Sequence, residues 1–121
     1  FVRDGRLTYD MNVGGEHARI VSDRPILSGH HRLAVTVRNE EKRFIRLLID
    51  GAPAGEGETP LGFHNFISWS GLDIGRDRGS PVADYAAPFA FSGRLKKVTV
   101  TMDPNQTLDG EAIGEAEMAR Q

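Results

Sequence analysis

The sequence predicts an all-β fold, an antiparallel β-sandwich of jelly-roll type, and three observations carry the prediction. Asp4-Gly5 and Asp50-Gly51 each separate two apolar runs, as the turns of tight hairpins do. The run Leu33-Ala34-Val35-Thr36-Val37 alternates apolar and smaller or polar residues with period 2. About eight such short runs succeed one another at sandwich spacing, with no helical periodicity before Asp103.

Taken in order, residues 1–3 and 7–9 flank Asp4-Gly5 as the arms of a first hairpin. Gly14-Gly15 breaks the chain ahead of a short strand over residues 17–21. Pro25 and Gly29 punctuate "RPILSGH". "HRLAVTVRN" follows as a half-buried strand, and "FIRLLID" as another that Asp50-Gly51 turns back. Residues 53–62, rich in Pro, Gly and Glu, read as a loop, and "FHNFISWSGLDIG" returns to β-like content. "FSGRLKKVTVTM" reads as a closing strand. Within it Leu95 is out of phase with Val98 and Val100, which predicts a bulge near Lys96-Lys97. The expected core is Leu33, Val35, Val37, Leu47, Ile49, Ile74, Phe91, Leu95 and Val98, since alternating apolar positions on two sheets need a shared interior.

These elements place one β-domain at residues 1–102 and an acidic tail, a short helix or a partly disordered end, at 103–121. Because the chain opens within what reads as a hairpin, we expect a fragment of a longer protein, with earlier strands of the domain missing. An unpaired strand edge would then invite self-association.

A chain of 121 residues fits one domain with a real core. With 39% hydrophobic and 26% charged residues it reads as globular, and no apolar run approaches the roughly 18–20 residues of a membrane span. A net charge of −2 offers no general attraction to nucleic acid or anionic lipid. The charge is uneven: the tail carries −4 and residues 1–102 carry +2. The absence of cysteine excludes disulfides, Cys-ligated zinc and a Cys nucleophile from this chain, and leaves cytoplasm, periplasm and secretion open as compartments.

No motif supplies a catalytic set. Adjacent His30 and His31 on a strand point to opposite faces and do not chelate one metal together, while His17 and His64 lack a partner at ligand spacing. "SWSG" is not a nucleophile elbow, the glycines form neither a dinucleotide fingerprint nor a P-loop, and "DPNQTLDGE" lacks the alternating oxygens of a calcium loop. Asn105-Gln106-Thr107 is a glycosylation sequon, informative only in a eukaryotic secreted protein. We therefore assign no catalytic residue and no metal ligand from the sequence.

The irregular stretch "GRDRGSPVADYAAPF" holds the candidate site residues Arg76, Asp77, Arg78, Ser80, Asp84, Tyr85 and Phe89. Two readings are open. The charged groups line a groove for a polar ligand, or they satisfy one another and the backbone while Pro81, Pro88, Phe89 and Phe91 pin the loop to the rim. We expect the second, a structural or interdomain loop, with a carboxylate–guanidinium contact available at Asp77 between two arginines.

"HHRLAVTV…FIRLLIDGAPAGEG" resembles the central hairpin of laminin-G-like and concanavalin-A-like jelly rolls, and "FSGRLKKVTV" resembles their closing strand. More specifically, "VRDGRLTYDMN", "EHARIVSDRPILSGHHRL" and "LDIGRDRGSPVADYAAPFAFSGRLKKVTV" resemble the C-terminal domain of bacterial arylsulfatases, over residues 1–102 and most strongly over 71–100. Two features depart from that family: "NEEKRF" is shorter than its glycine-rich connection, and the acidic tail runs on past its last strand. The resemblance implies a parent that hydrolyses sulfate esters with a formylglycine, made within a Cys/Ser-x-Pro-x-Arg motif, beside a calcium ion. This chain does not contain the motif, because Val82 and Ala83 stand where its second variable residue and its arginine would be. The implied partner is the catalytic domain of the same protein. Two other expectations remain beside this one: a free-standing carbohydrate-binding module and a protein-interaction domain.

Overall fold

The computed structural model describes residues 1–59 and 72–102. Among the described residues, six antiparallel strands make up two small sheets: β1 (Val2–Arg3), β2 (Arg6–Val13) and β3 (Glu16–Val21) in one, β4 (Leu33–Asn39), β5 (Arg43–Ile49) and β6 (Ala52–Thr59) in the other. Each sheet is a simple meander in chain order. The described residues contain no helix, so none is long and apolar enough to cross a membrane.

Local turn chemistry accounts for the pairing. Asp4 and Gly5 both take positive φ (50° and 72°), and so do Asp50 and Gly51 (52° and 79°). That is the type I′ pattern, whose twist matches the flanking strands, and it sets Arg3 opposite Arg6 and Ile49 opposite Ala52. Gly14-Gly15 does the same between Val13 and Glu16.

Register then decides which side chains meet. Leu7 of β2 joins Ile45 and Leu47 of β5 in one buried cluster, with Tyr9, Ile20, Ile26 and Leu33 packed against it. Residues 22–26 stitch the two sheets together. Ser22 N donates to Leu7 O, Asp23 N to Ala54 O at 2.7 Å, and Ile26 N to Gly5 O.

Several expectations are corrected. Residues 53–59 are not a loop but most of β6. Glu56 and Glu58 face outward to Arg46 and Lys42, while Gly55 and Gly57 face inward, where a side chain on Gly57 would lie 2.6 Å from Ile20. The glycines look like a loop because they are the gap that β3 fills. The one register shift in this sheet lies at Leu47/Leu48 opposite buried Ala54, not at Lys96-Lys97. Residues 91–102 form no strand among the described residues.

The core is correspondingly smaller than expected. Leu47 and Ile49 are buried and Leu33 is half-buried, but Val35, Val37, Ile74, Phe91, Leu95 and Val98 are exposed. Val35 and Val37 lie opposite Leu47 and Ile45, and so on the core side of their sheet, yet β4 has only one neighbouring strand among the described residues. The β-like run 63–71 and the tail 103–121 lie outside the described residues.

Candidate functional site

Alternation gives the first sheet two unlike faces. Leu7, Tyr9 and Ile20 turn to the core. Thr8, Asp10 and Arg19 share the other face by register, together with Arg3 and Arg6. The loop of residues 72–91 lies against this polar face. Asn12 Nδ2 donates to Val82 O at 3.0 Å, and Asp84 Oδ1 accepts from Arg3 Nη1 at 2.7 Å and from Arg19 Nη2 at 2.9 Å. The paired guanidinium of Arg3, then burial and Arg19, set the Asp84 carboxyl, and the balance lowers its pKa to about 2.

Arg19 also donates through Nε to Asp10 Oδ2, and the ring Nδ1 of His17 lies 2.8 Å from Asp10 Oδ1. The Asp10 side chain is only 1% exposed, so its two oxygens are met by these two neighbours rather than by water. A continuous chain of polar contacts thus runs from His17 through Asp10, Arg19 and Asp84 to Arg3. The strand sequence did not point to His17 and Asp10 as partners; cross-strand register brings them together.

Within the loop, Asp77 is bound differently from the expectation. Its carboxylate takes no arginine among the described residues. Oδ1 accepts from Gly79 N at 2.9 Å in an Asx turn, and Oδ2 accepts from Tyr85 Oη at 3.0 Å. The carboxylate of Asp73 pairs with Arg78 instead, accepting from both its Nε and its backbone N, and this holds the Asp73 carboxyl below its usual range. Arg76 is exposed and acts on Asp73 through its field, and Ser80 is exposed. Asp77 N donates to Pro88 O and Phe91 N to Gly75 O, which ties the two ends of the loop together. Tyr85 stacks on Phe89 with centroids 4.4 Å apart, and Phe1 meets both edge-on. Burial, helped by the bond to Asp77, pushes the Tyr85 hydroxyl pKa up.

On the second sheet, His31 Nδ1 lies 2.6 Å from Asp50 Oδ2, and Asp50 Oδ1 accepts from Arg32 N. This clamps the entrance of β4 to the β5–β6 turn. The neighbouring His30 instead faces Lys96 Nζ at 3.3 Å, so the two rings part company.

Among the described residues nothing fits a formylglycine or its calcium. The chain has no cysteine, Ser80-Pro81 leads into Val82-Ala83, and among the described residues no three His, Asp or Glu side chains converge at metal distance. Comparison of the chain with family models, with curated proteins and with solved structures finds no match in any of the three.

Proposed function

We propose that this chain is a non-catalytic accessory β-domain of an arylsulfatase-like sulfuric ester hydrolase, and that its two sheets belong to a jelly-roll sandwich packed on the catalytic domain of the same protein. The sequence resemblance over residues 1–102 supports the family, and one structural observation supports the role. The loop of residues 72–91 exposes large apolar side chains beside its charged ones. The Asp73 and Asp77 carboxylates are spent on Arg78, Gly79 and Tyr85, while Leu72, Ile74, Val82, Phe89 and Phe91 are exposed. A loop that exposes apolar side chains while its Asp73 and Asp77 carboxylates are already satisfied suits a protein surface better than a polar ligand.

Two measurements test this. The reading frame upstream of Phe1 should encode a Cys/Ser-x-Pro-x-Arg motif, and a frame without one overturns the parentage. The purified chain, supplied with calcium, should release no 4-nitrophenol from 4-nitrophenyl sulfate; release that scales with folded chain overturns the non-catalytic reading. Saturable binding of neutral glycans with no upstream motif would instead identify a free-standing carbohydrate-binding module.

A further inference from the structure

We propose that the cleft on the polar face of β1–β3 is a binding site for a tetrahedral oxyanion, the sulfate or phosphate group of a monoester, with Arg3, Arg6 and Arg19 as its donors. The cleft has a volume of about 280 Å³ and is bounded by these three arginines, Asp4, Asp84 and Phe1 among others. Its charged side chains therefore carry a surplus of one positive charge.

The arginines are placed against electrostatic preference. Arg3 and Arg6 are directly opposite across a two-residue turn, where like charges repel, and Arg19 shares the same face. Among the described residues two carboxylates compensate them, Asp84 at the cleft and the buried Asp10 behind Arg19, and neither reaches Arg6. A single oxygen, Asp84 Oδ1, serves both Arg3 and Arg19, and Arg6 reaches only the carbonyl of Ser22, at 2.8 Å. Each guanidinium carries five N–H donors in a planar fork, so most of them remain for a ligand.

Arg19 is held for the task. Its Nε is anchored on the buried Asp10 carboxylate, which fixes the plane of the fork. Asp84 behaves as an internal stand-in for the ligand, because its carboxylate takes the position between Arg3 and Arg19 that an oxyanion would take. It is 64% exposed and sits on a loop rather than a strand, so it is free to yield. Phe1 supplies an apolar wall for the organic part of a monoester.

The test is a calorimetric and NMR titration of the 121-residue chain with inorganic sulfate, inorganic phosphate, 4-nitrophenyl sulfate and 4-nitrophenyl phosphate, at ionic strength held constant with chloride. We expect saturable binding with shifts at Arg3, Arg6 and Arg19. Asp84→Asn should tighten it about tenfold by removing the competing carboxylate, and Arg6→Gln should weaken it about tenfold. Tighter binding of the monoesters than of the free ions identifies an esterified ligand, and equal binding a free anion; both support the site. Binding no stronger than that of chloride, or unchanged affinity in a folded Asp84→Asn variant, overturns it. Should Asp84→Asn fail to fold, Arg6→Gln decides, because Arg6 contacts no acid among the described residues, and an unchanged affinity there overturns the proposal equally.

Discussion

Asp77 shows how one short side chain organises a long loop. It bonds Gly79 N and Tyr85 Oη together, and Tyr85 in turn carries the Phe1 and Phe89 rings. Asp77→Ala should lower the unfolding free energy by about 1–3 kcal/mol, and Tyr85→Phe by about 1 kcal/mol, because the first variant leaves two donors unpaired and the second loses one bond. Thermal melts of the two variants check the order; equal or reversed losses would show that the loop does not hinge on Asp77. At His31 and Asp50 the same scale gives a pH dependence. The bond to Asp50, opposed by burial, raises the His31 pKa above 6.5, and the His31 bond lowers that of Asp50 below 3.8. A raised histidine contributes stability below about 6.5 that is lost as pH rises through the folded value. A lowered carboxyl contributes above about 3.8 and is lost as pH falls through its folded value. The pair therefore stabilises most between these limits. Asp50→Asn should flatten the difference in denaturant midpoint between pH 5.5 and pH 8.5, and an unchanged pH profile would remove the pair from the account.

Among the elements, the hairpins are defined by their turns and β6 by its neighbour. Gly51 holds φ at 79° with open space around it, so Gly51→Ala strains the backbone without a clash and should cost about 1 kcal/mol, as read from urea midpoints. Gly57 is the opposite case. A Cβ there meets Ile20 at 2.6 Å, so Gly57→Val should cost about 1–3 kcal/mol and be partly relieved by Ile20→Ala. If Ile20→Ala gives no relief, β3 does not press on β6 at this point. The Gly-x-Gly spacing of residues 55–57 thus reports a close approach between strands, although read alone it resembles a flexible linker.

For the whole molecule, the relevant feature is the row of apolar side chains on the second sheet. Val35 is 41% and Val37 48% exposed although both point to the core side. We expect the isolated chain to associate in a concentration-dependent manner through this edge, as exposed apolar strands do. Sedimentation velocity should show the association, and Val35→Lys with Val37→Lys should abolish it. Association that persists unchanged in the double variant would place the contact elsewhere, for which the exposed Phe89 and Phe91 are the next surface to test.

The sequence by itself determined the elements whose causes are local. A positive-φ pair such as Asp4-Gly5 or Asp50-Gly51 forces the strands on either side to pair, and the alternation of Leu33 to Val37 is visible without any partner. It also set aside catalysis by cysteine, which no fold can supply. Burial and ion pairing were decided only in three dimensions, because they depend on what approaches from another part of the chain. Val35 and Leu47 are both apolar and face each other, yet one is exposed and the other is not, since among the described residues β5 has a neighbouring strand on each side and β4 on one side. The same holds for charge. Asp77 lies between two arginines in sequence and binds neither, whereas Asp84 binds Arg3 and Arg19 from 81 and 65 residues away, because a carboxylate pairs with the guanidinium that folding brings within 3 Å.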